Sequence, residues 1–99
     1  MRITVIRMAS APKLDLAVVV HEGRSETRHT VTLDTATFDR LAGASGATPE
    51  ELVHAVFEFL LEREPKESIL SRFDVTVVGR YFPEFEDEIL PYLDRGGTP

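Results

Sequence analysis

The sequence contains no cysteine and no tryptophan. Without thiols it can form no disulfide, thiolate metal site, iron–sulfur cluster or cysteine nucleophile, and a cytoplasmic location is the expectation for such a chain. Long apolar runs are missing too: no stretch approaches the roughly 20 residues of a membrane span. The start, Met1-Arg2-Ile3-Thr4-Val5-Ile6-Arg7-Met8, is too short and too charged for a secretory leader. Positive charge is scarce, with 11 Lys and Arg against 17 Asp and Glu and a net charge of −6. Nonspecific attraction to nucleic acid or to an anionic membrane draws on basic side chains, so the balance disfavours both. The deficit is uneven. Residues 1–34 carry five basic and four acidic residues, residues 35–64 two and six, and residues 65–99 four and seven. Any anion-facing surface therefore belongs to the first third.

Within these limits the 99 residues, 42% hydrophobic and 28% charged, have the composition of a chain that folds. The length fits one domain, expected over 1–95 with a frayed tail at 96–99. Leu14, Leu16, Val18 and Val20 alternate with Asp15, Ala17, Val19 and His21, the period of a strand with one face on a core. Gly23 marks a turn, and Thr27–Asp34 resumes the alternation with Val31 and Leu33 inward and Arg28, Thr30 and Thr32 outward. A third β-branched run at Ile3–Met8 completes an antiparallel meander.

Helical signals begin at Asp34. Asp34 or Thr35 caps a short helix carrying Phe38, Leu41 and Ala42, with Gly43 placed to end it. Thr48-Pro49-Glu50-Glu51 combines a threonine N-cap, proline at the first helical position and a glutamate three residues after the cap, which predicts a helix through about Arg63. Its apolar set of Leu52, Val53, Val56, Phe57, Phe59, Leu60 and Leu61 is wide enough to be central to the core or shared with a second subunit. Pro65 ends it, and Glu67–Phe73 reads as another short helix. Residues 74–82 carry conflicting signals: Asp74 suits an N-cap, Val75-Thr76-Val77-Val78 suits a strand, and the Phe82-Pro83 stop tips the reading to helix. A further helix begins at Pro83 and is interrupted by Pro91. The fold class expected is α+β, an N-terminal antiparallel hairpin or three-stranded sheet followed by three to four helices.

Chemistry-bearing residues are few. His21 and His29 flank the Gly23-Arg24 turn, and nearly opposite placement would let them share a divalent cation with Glu22 or Glu26; cross-strand neighbours without a third ligand are the favoured reading. His54 and Glu58, four apart on a helix, read as a solvated ion pair. Glu84, Glu86, Asp87 and Glu88 have no calcium-loop or acid–base spacing and read as a solvated helix start. Tyr81, Phe82 and Phe85 surround Pro83 and form a candidate partner-binding patch, with core packing as the competing role. With no nucleophile–base set, no phosphate loop and no ligand cluster, the expectation is no catalytic residue, no metal and no cofactor.

Two resemblances add to this. Residues 28–61, from Arg28-His29-Thr30-Val31-Thr32-Leu33 through Thr48-Pro49-Glu50-Glu51 to the following helix, resemble the ribbon-helix-helix layout of small bacterial repressors and antitoxins. That family pairs the strand with its twin across a dimer axis and inserts the ribbon into the DNA major groove, so the resemblance implies DNA contacts by Arg28, Thr30 and Thr32. The acidic start at Glu50 and Glu51 and the extra strand at Leu14–His21 depart from the family pattern. The stretch Glu67–Glu86 resembles the closing pattern of a small bacterial protein family of uncharacterised function, and Ser68–Phe73 leading into Val75–Phe82 also suggests a helix-turn-helix with Arg80 exposed. The function expected is a small non-enzymatic protein-interaction or regulatory module, a homodimer or bound to another protein. A ribbon-helix-helix-like DNA-binding regulator or antitoxin is the alternative, and a small metal-dependent protein or enzyme the third reading.

Overall fold

The structure, a computed structural model, describes residues 1–96. Four strands, β1 (Arg2–Ala9), β2 (Leu14–Glu22), β3 (Ser25–Leu33) and β4 (Arg72–Asp74), form one sheet in the order β1-β2-β3-β4. Four helices follow the meander: α1 (Thr35–Ala42), α2 (Pro49–Leu61), α3 (Val75–Tyr81) and α4 (Phe85–Gly96). The expected α+β class holds, with a fourth strand added to it. The tail expected at 96–99 lies, from residue 97 on, outside the described residues.

The alternation read from the sequence sets the two faces of the sheet. Leu14, Leu16, Val18 and Val20 of β2 and His29, Val31 and Leu33 of β3 are buried, while Arg28 points outward and is exposed. Gly23 and Arg24 make a two-residue hairpin turn. Gly23 takes φ +61 at the first central position, a conformation that costs glycine nothing and twists with the strands.

The helix caps follow the sequence closely. Asp34 Oδ1 accepts from the Thr37 amide at 2.7 Å, and Thr48 and Glu51 exchange both bonds of a capping box at 3.1 and 2.8 Å. Gly43 does not take the left-handed position expected of it. It continues at φ −57 into a 3-10 turn over Gly43–Ser45, and Gly46, at φ +78, makes the reversal. The wide apolar surface of α2 is explained by its neighbours. Phe57 faces His29 of β3 and Phe73 of β4, while Phe59 meets Phe82, Phe85 and Tyr92 of the α3–α4 region, so the helix is buried nearly all round.

The helix expected at Glu67–Phe73 is not formed. After Pro65 a single 3-10 turn spans Lys66–Ser68, and Arg72–Asp74 extends as β4 parallel to β3, with Val31 opposite Phe73. Seven residues gain little by nucleating a helix, whereas the free edge of β3 offers partners at once. The Thr30 amide donates to the Ser71 carbonyl at 2.8 Å, and Thr32 Oγ1 donates to Asp74 Oδ2 at 2.8 Å. Lys66, nearly inaccessible, ties the turn down by donating to Glu67 and Glu22. Residues 75–81 are helical as read, with Asp74 Oδ1 accepting from the Thr76 amide at 3.0 Å. Pro91 does not interrupt α4, because Ile89 on one side of it and Tyr92 and Leu93 on the other are buried and hold the axis together.

Candidate functional site

The histidines are placed apart. In the β2–β3 register His21 faces Glu26 and His29 faces Val18, because the turn centres on Gly23-Arg24 and His29 lies farther from it than His21. The shared cation site at His21 and His29 is therefore not built, and no cluster of three metal-capable side chains occurs among the described residues. Both ring nitrogens of His29 are engaged. Nδ1 donates to the Leu70 carbonyl, an acceptor only, at 2.8 Å, and Nε2 lies 2.8 Å from Thr27 Oγ1. His29 thus pins the connection before β4 to β3. His54 Nδ1 and Glu58 Oε1 approach to 3.4 Å, shielded from water and without a hydrogen bond between them.

Arg28, Thr30 and Thr32 share the face of the sheet away from the helices, as expected. Arg28 pairs with Glu26 at 2.7 Å and Thr32 is bonded to Asp74. β3 is flanked by β2 on one side and, over Thr30–Thr32, by β4 on the other. The edge through which a ribbon-helix-helix strand meets its twin is thus occupied, and the intermolecular ribbon implied by that resemblance is not formed by β3. Nor is there a helix pair at 68–82, since Ser68–Phe73 supplies a strand in place of the first helix.

The three aromatic residues around Pro83 separate. Phe85 is 1% exposed and packs edge-on against Phe59, with ring centroids 5.2 Å apart, so it belongs to the core and not to a partner-binding patch. Phe82 is half-buried. Tyr81 is 68% exposed and stacks on no other ring among the described residues.

Tyr81 and Phe82 border an open groove of about 420 Å³ between the end of α2, the connection before β4, and α3. Leu60, Ile69, Phe73 and Val78, all buried, make its floor. Leu70 and Tyr81 stand exposed on its rim, and Ser68 and Val77 complete the wall. One charged residue lines it. Glu64, one turn beyond Leu60, has no ion pair or side-chain hydrogen bond among the described residues, and burial pushes its carboxyl above the ordinary carboxylate value.

The neighbouring Arg63 is the opposite case. Its guanidinium donates to Glu84 at 3.2 Å, Glu88 at 3.0 Å, Tyr92 Oη at 3.3 Å and the Phe59 carbonyl at 3.0 Å, and lies 3.6 Å over the Phe59 ring. The groove can therefore offer apolar burial, an aromatic face, a hydroxyl and a carboxylate. A comparison with protein-family models finds no match, and comparisons with the curated proteins and with the solved structures find none either.

Most of the groove escaped sequence reasoning, which picked out Tyr81 and Phe82 alone. A signal for one more of its residues was present at Glu64, because acid just past a helix C-terminus opposes the macrodipole and such a local violation draws attention to the position.

Proposed function

We propose that the protein is a small non-enzymatic interaction module that holds a segment of a protein partner in the groove between α2, β4 and α3. The observation that carries this reading is the apolar floor with Leu70 and Tyr81 exposed above it: large side chains left in water beside a concave apolar surface are typical of a docking site. A tyrosine at a rim is suited to binding, because its rigid ring buries area at low entropic cost while its hydroxyl stays wet.

Photo-crosslinking tests this in the native cell. With p-benzoylphenylalanine in place of Tyr81, a discrete adduct with one protein is expected, and Val77→Trp in the same chain, which fills the groove, should suppress it. The same photoprobe in place of Arg28, on the opposite face of the sheet, should give no such band. No adduct at 81, or identical adducts at 81 and 28, would overturn the reading.

Self-association is part of the same proposal and has its own surface. β1 is an outer strand with a free edge, and Ile6 and Met8 are 56% and 67% exposed on it. Antiparallel pairing with a second copy about Val5 would set Thr4 against Ile6 and keep the two Arg2 side chains apart. Sedimentation equilibrium should then show a dimer that Ile6→Lys converts to monomer; a wild-type monomer at all concentrations would remove this part of the proposal.

A further inference from the structure

The lone acid of the groove says what kind of segment it takes, if the groove is the docking site proposed above. Glu64, just past the end of α2, is the one charged residue in a wall that is otherwise apolar but for Ser68, and no cation of the chain reaches it among the described residues. The chain has cations to hand nearby and directs them elsewhere: Arg63 is turned to Glu84 and Glu88, and Lys66 to Glu22 and Glu67. A half-buried carboxylate left unpaired costs stability, and an incoming cation would remove that cost. The exposed ring of Tyr81 lines the same groove and offers a second favourable surface to a cation. The molecule's net charge of −6 acts in the same direction by steering basic partners toward it.

We propose that the groove selects a peptide segment in which apolar side chains accompany an arginine or lysine, the apolar groups on the floor of Leu60, Ile69, Phe73 and Val78 and the cation at Glu64. Arginine fits better than lysine, because its planar guanidinium can meet the carboxylate with two donors and lie flat on the tyrosine ring. An acidic segment is rejected, since it would bring a second negative charge into a low-dielectric wall.

The test is a titration of the full-length ¹⁵N-labelled protein with three short probes, acetyl-Leu-Leu-Arg-Leu-amide, its Gln analogue and its Glu analogue, followed at the amides of residues 60–64, 68–70 and 77–82. The Arg peptide is expected to bind the groove about fivefold more tightly than the Gln peptide, the range of a partly desolvated ion pair. Glu64→Gln should abolish that preference and leave the affinity for the Gln peptide as it was. Asp87→Asn, which removes one exposed acid outside the groove, should leave the preference intact and so separates local pairing from net charge. Equal binding of the Arg and Gln peptides at these amides would overturn the cation inference while leaving the groove as a docking site. No perturbation by any of the three would remove the docking site itself. Should Glu64→Gln fail to fold, the ratio of Arg to Gln affinities on the wild-type protein still decides the matter.

Discussion

The two flanks of the C-terminal end of α2 face opposite fates. On the α4 side, Phe59 sits among Phe82, Phe85 and Tyr92, and Arg63 lies over it with hydrogen bonds to Glu84, Glu88, Tyr92 and the Phe59 carbonyl. On the side of α3 and β4, Leu60 and Glu64 border an open groove in which the carboxylate has no partner among the described residues. Two adjacent residues of opposite charge are thus treated in opposite ways. Arg63 is a structural tie between α2 and α4, whereas Glu64 makes no such tie among the described residues. The contrast teaches where to look for function: the closed flank holds the domain together, and the open flank is the one proposed to dock a partner.

Truncation on the closed flank should have the largest effect. Phe59→Ala removes the ring that three aromatic residues and Arg63 surround, and a destabilisation of about 3–5 kcal/mol is expected from lost burial and the cavity left behind. Chemical denaturation measures it; a cost below about 1 kcal/mol would show that this flank is not where the stability resides. Arg63→Met keeps much of the volume and removes the bonds. A loss of about 1–2 kcal/mol is expected at pH 7, kept modest because Glu84 and Glu88 are substantially exposed. The loss should depend on pH. A bond from its own backbone amide and one from Arg63 hold the Glu84 carboxyl below its ordinary value of 4.5. The stability linked to that shift is present above the ordinary value and disappears as pH falls through the lowered one, so wild type and variant should converge in acid.

How much of this contrast could be read from the sequence depends on how local each signal is. The β2–β3 hairpin was legible because period-two alternation and Gly23 agree, and the start of α2 because Thr48, Pro49 and Glu51 each carry a separate capping signal within four residues. The direction of Val75–Tyr81 was legible from its two ends, Asp74 and Phe82-Pro83, against the propensity of its middle. β4 was not. Three residues carry no period, and Arg72–Asp74 is a strand only because β3 has a free edge more than 40 positions earlier in the chain. Missing β4 also meant missing the groove, whose floor joins Leu60, Ile69, Phe73 and Val78 across three elements and the connection before β4. The fates of Tyr81 and Phe85 were hidden for a related reason: both are aromatic residues near one proline, and only the docking of α4 on Phe59 decides which of them enters the core.

The open flank should respond in the opposite direction and more weakly. Burial raises the Glu64 carboxyl, so the folded state favours its protonated form. That contribution is complete below the ordinary carboxylate value of 4.5 and is lost as pH rises through the raised value. At pH 7 Glu64→Gln should therefore stabilise the protein, by about 1 °C in Tm given the solvent that reaches the site, and the gain should vanish near pH 4. Thermal melts at the two pH values decide it, and a Glu64→Gln variant that melts below wild type at pH 7 would mean the carboxylate has a stabilising partner after all.

The smallest effect on stability belongs to Tyr81→Ala. Its side chain is mostly in water and touches no other ring among the described residues, so its removal should leave the free energy of unfolding within about 0.5 kcal/mol of wild type. That near-silence is what gives the comparison its edge. A residue that contributes to folding and to binding alike cannot be assigned to either by mutation, as Phe59 illustrates, but a rim tyrosine that costs nothing to remove separates the two. If Tyr81→Ala is neutral in denaturation yet weakens the Arg peptide at the groove amides, the two flanks have divided the work between them. If it destabilises the fold by more than about 1 kcal/mol, Tyr81 is packed in solution and the groove is closed.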